Sequence, residues 1–308
     1  MNASKRVPVV LSFLAVAVIW GSTYLGIRVA LDGFPPFLIG AIRFLTAGSI
    51  LYGFLRARGE RAPTGAEWRS AGITGVLFFA IGNGLVNVAE RSVSSGLASV
   101  LVATMPLWAT LFERFAGGRV QRLEWLGLAL GLGGVVILNL GGELRASGAG
   151  AVCALVAPMG WALGSVVSKR VRLPGGPMTT ATQMLAGGAT MALLSKALGE
   201  HVVVTPPART IVAVAYLAVF GSLVGFSAYV YLLRNTATSV ATSYAYVNPV
   251  IALVLGVAFA GEHIDRAGVT GAAVILAAVL LLSRGKGRAR ERVVVTPALD
   301  DAACESVR

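Results

Sequence analysis

The sequence predicts an all-α membrane protein whose ten transmembrane helices form two inverted five-helix repeats. Three observations lead to this prediction. Of the 308 residues, 56% are hydrophobic and only 13% are charged, whereas soluble domains carry about 25% charged residues. The charged residues fall in short clusters between long apolar runs. The second half of the chain also repeats features of the first half in the same order.

The first element of the prediction is the set of spans, each of which needs roughly 20 mostly apolar residues. A run at about 34–56 is interrupted only by Arg43. Nine other runs carry no charge at all: 7–27, 70–89, 92–112, 125–142, 146–168, 173–195, 210–233, 235–261 and 267–283. Ten helices leave almost no extramembrane domain, which excludes a soluble catalytic module. The net charge of +12 does not indicate nucleic-acid binding, because the charges are scattered between the spans.

The second element is the orientation, since lysine and arginine favour the cytoplasmic side of a membrane. With the N-terminus inside, 19 of the 26 basic residues fall in cytoplasmic segments, five fall outside, and two lie within spans. We therefore expect a multi-pass protein of the cell (inner) membrane with both termini in the cytoplasm. Residues 285–308 are expected to form a basic, disordered cytoplasmic tail. This tail either rests on anionic lipid or only flanks the last span.

The third element is the internal repeat, which divides the chain into units 1–143 and 144–284. Trp20 matches Trp161 at an offset of 141, FLTAG (44–48) matches MLAGG (184–188) at 140, and Pro106 matches Pro249 at 143. Because each unit contains an odd number of spans, the two units must insert in opposite orientations. Inverted repeats are common in secondary transporters, whose substrate site lies at the interface between the repeats.

The two prolines, Pro106 and Pro249, lie at corresponding places in spans four and nine. Each is expected to break its helix and free a carbonyl one turn earlier, at Val102 and Ala245. In hydrocarbon, such a carbonyl needs protein, water or a ligand as a partner. We interpret the pair as helix breaks with a gating role beside a hydrated cavity. The alternative is a pair of tolerated kinks.

Three segments together are similar to a known family: WGSTYLGIRVALDGFPPFLIGAIRFL (20–45), GNGLVNVAERSVSSGLASVLVATMPLWATL (82–111) and LEWLGLALGLGGVVILN (123–139). They resemble the EamA family of the drug/metabolite transporter superfamily, and the likeness runs from about residue 8 to 284. The resemblance implies a bundle of two EamA repeats that exports small metabolites such as amino acids, or toxic cations in some members. It also suggests proton antiport.

Polar residues within the spans are the candidate substrate ligands. Arg43 lies near the middle of span two, where an arginine costs roughly 2.5–3.5 kcal/mol on insertion scales. It either binds a substrate carboxylate or is satisfied inside the bundle, and its counterpart in the second half is Gln183. Asn83, Asn87 and Glu90 follow a helical spacing and are expected to share one face. Glu90 is either a proton-coupling site or an exposed partner of the neighbouring arginine.

Aromatic, hydroxyl and amide side chains complete the predicted site, although rings of this kind are more often core filler. The predicted substrate-binding residues are Trp20, Tyr24, Arg43, Asn83, Asn87, Ser99, Trp161, Gln183, Tyr229, Thr242, Tyr246 and Asn248. No catalytic residue, metal site or cofactor is predicted. The expected partners are a small-molecule substrate and the lipid bilayer, with possible proton coupling and no nucleic acid.

Two further functional classes compete with a secondary transporter that works by alternating access. An intramembrane enzyme would need a catalytic group within a span, but His201 and His263 fall in predicted outer loops and no HExxH motif occurs. A membrane sensor or scaffold would need a soluble output domain, which the spans leave no room for. A flux assay separates these classes, because an enzyme or sensor would move no solute.

Overall fold

The computed structural model describes residues 3–93, 101–118, 120–138, 148–202, 205–248, 250–251 and 266–285. These residues form helices and contain no β-strand. The helices are α1 (Ala3–Leu31), α2 (Pro36–Ala57), α3 (Gly65–Ala89), α4 (Met105–Phe115), α5 (Arg122–Leu138), α6 (Gly148–Ser168), α7 (Met178–Ala197), α8 (Ala208–Asn235), α9 (Thr238–Thr242) and α10 (Arg266–Gly285). Residues 244–248 continue helically after α9.

Five of these helices are long and apolar enough to cross a membrane: Arg6–Leu31 within α1, α2, α3, α6 and α8. They contain 21 to 28 residues each, and about 20 residues span the hydrocarbon core. Large apolar side chains such as Leu25 and Leu193 are 70% exposed, as suits a surface that faces lipid. The all-helical membrane fold is therefore confirmed, while the count of ten spans stays a prediction.

Local sequence determines where several helices begin and end. Pro36 lies in the first turn of α2, where the missing N–H of a proline does no harm. Gly59 follows α2 with a φ of +82°, a conformation that L side chains rarely adopt. At the start of α3, Thr64 and Glu67 form a reciprocal capping box. The short connections make α2 run antiparallel to both α1 and α3.

Helices α3 and α8 each contain a π-helical segment, at Val76–Gly84 and Leu217–Val224. The two segments begin 141 residues apart, which is also the offset between Trp20 and Trp161. In each one a polar side chain donates to the carbonyl five residues earlier: Asn83 Nδ2 to Phe78 O at 3.0 Å, and Ser222 Oγ to Leu217 O at 3.1 Å. Such segments are rare and often occur at functional sites. The same irregularity thus occurs twice at the offset of the sequence repeat.

Helix packing pairs the two halves of the chain. Helix α2 packs along α7 and α5 along α10, while α1 packs on α8 and α3 on α6. The FLTAG and MLAGG motifs form the crossing of α2 and α7. A Cβ on Gly48 would lie 3.0 Å from Leu185 N, and a Cβ on Gly188 would lie 2.9 Å from Leu45 N. Glycine at both positions therefore allows the two backbones to approach closely.

Each of the two ends of the bundle contains polar contacts between helices or their connections. At the near end, where α2 finishes, Glu113 at the end of α4 pairs with Arg170 after α6 at 3.1 Å. At the far end, where α2 begins, Glu200 accepts hydrogen bonds from Phe37 N at 3.2 Å and Leu38 N at 2.9 Å. Each end thus ties together elements from both halves of the chain.

Candidate functional site

A small cavity of about 70 Å³ lies between α1, α2, α3, α6 and residues 244–248. Half of the predicted substrate-binding residues line it: Trp20, Tyr24, Arg43, Asn83, Trp161 and Asn248. This central cavity is small for a ligand site. Ordinary small-molecule sites measure about 300–1,000 Å³. The described conformation is therefore one in which the cavity is contracted.

Aromatic rings form one wall of the central cavity. The rings of Trp20 and Trp161 meet edge to face with centroids 5.1 Å apart, and Tyr244 lies 4.8 Å from Trp20. Such contacts add roughly 0.5–1.5 kcal/mol to the burial of the rings. Trp20 Nε1 donates to Gly221 O at 2.8 Å, in the π-helical segment of α8. This hydrogen bond fixes the orientation of the indole in the wall.

Arg43 is the cation of the central cavity and is only 3% exposed. Its Nε donates to Ser222 Oγ at 2.7 Å, and its guanidinium lies 4.7 Å from the centroid of the Phe44 ring. Its two Nη groups make no hydrogen bond to a described residue, and no described carboxylate pairs with it. A buried guanidinium with free donors is suited to a planar, bidentate acceptor such as a carboxylate.

The polar row of α3 contacts three different parts of the bundle. Asn83 lines the central cavity, whereas Asn87 is fully buried and donates to Pro36 O at 3.0 Å, at the start of α2. The cavity is lined by Gly82, Asn83 and Val86, and Asn87 lies one position beyond Val86, where it contacts the start of α2 instead. Asn87 Oδ1 accepts no hydrogen bond.

Glu90 is buried rather than exposed, and its partner is not Arg91. Its side chain is 1% exposed, and Oε2 lies 3.6 Å from Arg28 Nη2, which is beyond hydrogen-bond distance. Neither carboxylate oxygen makes a hydrogen bond. Burial raises the pKa of Glu90, which follows the end of α3, to about 7, while Arg28 opposes this rise. The carboxylate is therefore able to exchange a proton near neutral pH.

Asn248 connects α1 with the helical stretch after α9. With its amide oriented so that both ends are satisfied, its nitrogen donates to Tyr244 O and Ala17 O, each at 3.2 Å. The hydroxyl of Tyr24 interacts with the same side chain. The amide thus joins two walls of the central cavity.

Pro106 lies in the first turn of α4, directly after a turn at residues 103–104. The proline ring is buried, while Val102 and Met105 on either side of the turn line the central cavity. The chain is therefore irregular where it meets the cavity. The symmetry-related Pro249, and Ser99, lie outside the described residues.

Besides Asn87, four predicted substrate ligands lie outside the central cavity and are bonded within the bundle. Tyr229 and Ser165 share a hydrogen bond of 2.6 Å between their hydroxyls, behind the aromatic wall. Thr242 donates to the carbonyl of Thr238 at 2.8 Å. Tyr246 donates to Leu128 O at 3.3 Å, and its ring covers Gly131. Gln183 lies towards the near end, where its Nε2 donates to Thr74 Oγ1 at 2.8 Å.

Several residues of the site escaped the sequence-based prediction. Thr23 and Met105 line the central cavity, and Ser222 anchors Arg43. Ser222 carries a signal that could have been found, because it follows the polar Asn83 at an offset of 139, close to that of the repeat. Within the described residues, no group of three or more His, Cys, Asp or Glu side chains could hold a metal ion.

Comparisons with known proteins show that the chain is similar to membrane transporters. The model of the EamA-like transporter family matches residues 7–140 and again residues 148–284. The chain is 41% identical over 306 residues to the inner membrane transporter YedA of Escherichia coli (strain K12), covering 99% of this chain and 100% of that protein. It is 26% identical to a probable terminal-alkyne amino-acid exporter of Streptantibioticus cattleyicolor, covering 94% and 98%. A crystal structure at 21% identity shares the fold, with a TM-score of 0.74 over 90% of this chain and 98% of its own.

Proposed function

The chain belongs to the EamA-like transporter family, and we propose on that premise that it exports a small metabolite bearing a carboxylate, foremost an amino acid. The family and its transporter relatives identify a membrane transporter rather than an enzyme. The observation that carries the narrower proposal is Arg43, a buried cation with free donors in an aromatic-lined cavity.

Charge balance supports a carboxylate as the ligand of Arg43. A charged side chain within the membrane is costly and normally finds a partner. Ser222 accepts only one hydrogen bond from Arg43 and brings no negative charge. A carboxylate would accept two parallel hydrogen bonds from the Nη edge and neutralise the cation. Asn83 Oδ1 and Asn248 would then face the ammonium group, and the rings of Trp20 and Trp161 would contact an apolar side chain. The same wall would also suit an amphipathic drug-like compound.

Two inverted repeats are the architecture that we propose for this activity. The units are residues 1–143 and 144–284, with five spans each, both termini in the cytoplasm, and residues 285–308 as a cytoplasmic tail. The two family matches, the two π-helical segments and the reciprocal packing of the halves support this arrangement. The relative YedA is an inner membrane transporter, which supports the bacterial inner membrane as the location of this chain.

Alternating access is the mechanism that fits a contracted central cavity. A site of about 70 Å³ is too small for an amino acid, so the halves must move apart before a solute enters. Pro106 and Pro249 would act as the helix breaks around which this movement occurs. The name of the Streptantibioticus relative supports amino-acid export.

Coupling to protons is the role that we assign to Glu90. Its carboxylate is buried and unbonded, Arg28 and Tyr24 of α1 face it, and its pKa of about 7 permits protonation at physiological pH. Facilitated movement down a gradient is the alternative. It would leave flux unchanged when Glu90 is replaced by glutamine.

The direct test is flux in proteoliposomes that contain the purified protein and a panel of labelled amino acids. We expect saturable flux of at least one amino acid, which Arg43→Gln reduces at least tenfold. Arg58→Gln is the matched control, because that arginine is exposed and stacks only on Phe54. A membrane sensor or scaffold would move no solute from the panel. Equal flux through both variants would remove Arg43 from the site.

A further inference from the structure

A second pocket, separate from the central cavity, opens at the near end of the bundle. It has a volume of about 340 Å³ and lies between the end of α6, the start of α7 and the end of α8. Its polar lining consists of Ser168, Lys169, Thr179, Gln183, Arg234 and Thr236. This near-end pocket is large enough for a small-molecule site, for which about 300 Å³ is the usual lower limit.

The near-end pocket is electropositive, because its described lining contains two cations and no carboxylate. Arg234 is held in place by hydrogen bonds from Nη2 to Pro174 O at 2.8 Å and to Thr179 Oγ1 at 2.6 Å. Its Nε and Nη1 groups donate to no described residue. Lys169 Nζ donates to Thr236 O at 2.9 Å, which places a second cation at the same wall. The nearby Glu113 pairs with Arg170 at 3.1 Å.

The buried wall of the near-end pocket adds groups that complement an oxyanion. Gln183 is 1% exposed, and its Nε2 donates to Ser168 Oγ at 3.2 Å. The Ser168 oxygen is therefore already an acceptor, and its own proton is available to a ligand. Gln183 Oε1 is buried and accepts no hydrogen bond. A ligand that carries a hydroxyl beside its negative charge would supply the missing donor.

We propose that the near-end pocket binds a phosphate-type anion. Arginine binds phosphate with two parallel hydrogen bonds, and these charge-assisted bonds are roughly twice as strong as neutral ones. Two sources share this chemistry: the head group of an anionic phospholipid and a free phosphate compound. In the proposed orientation, with both termini in the cytoplasm, α2 ends at the cytoplasmic side and the near end is cytoplasmic. Basic pockets between helices at that side of a membrane are known to accept lipid head groups. Leu173, Val230 and Leu233 also line the pocket and would contact the glycerol and upper acyl chain of a lipid.

This site does not depend on which solute the central cavity carries, because the two sets of lining residues do not overlap. It gives a role to Gln183, which the central cavity leaves out. A loss of binding here would leave the amino-acid proposal untouched. A failure of amino-acid flux would equally leave this proposal untouched.

Equilibrium binding to the purified full-length protein in detergent tests the proposal, with one arm for each source. Calorimetry measures the affinity for inorganic phosphate, and native mass spectrometry measures retention of phosphatidylglycerol against neutral phosphatidylcholine. We expect at least one probe to bind saturably, and its dissociation constant to rise about tenfold in Arg234→Gln. Arg58→Gln serves as control, since it removes an exposed arginine at the same end of the bundle.

The outcomes separate the sources and can overturn the proposal. Phosphate binding that is lost in Arg234→Gln assigns a free anion, whereas loss of phosphatidylglycerol retention alone assigns a lipid head group. Arg234→Lys guards against misfolding. It keeps the charge and should weaken binding severalfold, because an ammonium cannot make the bidentate contact. The proposal fails if neither probe saturates, or if the two glutamine variants differ by less than threefold.

Discussion

The close approach of α2 and α7 makes a quantitative prediction about two glycines in one helix. In Gly48→Ala, the new Cβ would lie 3.0 Å from both Leu185 N and Leu185 Cγ. Real Cβ atoms essentially never come closer than this to another heavy atom, and a backbone nitrogen yields less easily than the end of a side chain. Gly53 lies five residues further along the same helix, and a Cβ there would meet nothing within 4 Å. The same substitution should therefore have opposite effects at the two positions.

The magnitude follows from two terms. Replacing glycine by alanine in a helix interior stabilises the fold by about 1 kcal/mol. This term applies to both variants and cancels in their difference. Overpacking at a tight contact costs about 1–3 kcal/mol, and it applies only to Gly48→Ala. We therefore expect Gly48→Ala to be about 1–3 kcal/mol less stable than Gly53→Ala. Larger domains lose roughly 2–4 °C in Tm per kcal/mol, so the difference in Tm should be at least about 2 °C.

Thermal unfolding in detergent, followed by the loss of the monodisperse peak in size-exclusion chromatography, measures this difference. Both variants are compared in the same detergent and at the same heating time. Gly188→Ala offers a second test, because its Cβ would lie 2.9 Å from Leu45 N on the opposite helix. A Gly48→Ala protein that is as stable as Gly53→Ala would refute the tight helix crossing.

Three further predictions concern recognition, pH and capping. If Arg43 makes two charge-assisted bonds to a carboxylate, each of about 1.5–3 kcal/mol, Arg43→Gln should lower the transport preference for an amino acid over its amide by at least about 100-fold. Competition flux measures this preference, and an unchanged preference contradicts the role of Arg43. Burial raises the pKa of Glu90 in the folded state to about 7, so between about pH 4.5 and 7 the folded state holds a proton that the unfolded state has lost. Tm should therefore fall as the pH rises through this range and level off above pH 7. Glu90→Gln should lack this fall, and curves of Tm against pH that are parallel for the two proteins would contradict the burial of Glu90. Thr64→Ala removes the capping box of α3 and should cost about 1 kcal/mol in thermal unfolding, whereas an unchanged Tm would mean that the cap adds nothing.

Much of the fold could be predicted from sequence, because the free energy of inserting a helix into the membrane depends mainly on which residues the helix contains. Charged side chains are expelled from hydrocarbon, so the charge-free runs locate helices such as α1, α3, α6 and α8 to within a few residues. The repeat carries the packing information as well. Gly48 and Gly188 occupy equivalent places in the two motifs, and in the structure each faces the backbone of the other helix.

The details of the site could be predicted less well, because they depend on backbone geometry that leaves no periodic signal. A π-helical segment differs from a regular helix by the addition of one residue to a turn, and no residue type marks it. The spacing of Asn83, Asn87 and Glu90 predicted one polar row, but the neighbouring elements determine the partner of each residue, namely the cavity, α2 and Arg28. Tyr246 was misleading for a different reason. Its hydroxyl suggests a ligand, but its ring fills the space above Gly131.

The extra residue in each π-helical segment has a consequence for deletions. Loops of membrane proteins usually tolerate the loss of a residue, whereas a shortened helix rotates everything beyond the deletion by about 100°. Removing one residue between Val76 and Gly84 would restore ordinary backbone hydrogen bonding, and the return to 3.6 residues per turn would keep Asn87 directed at Pro36 and Glu90 at Arg28. The same deletion among residues 85–89 has no wide turn to offset it, so it would swing Glu90 away from Arg28.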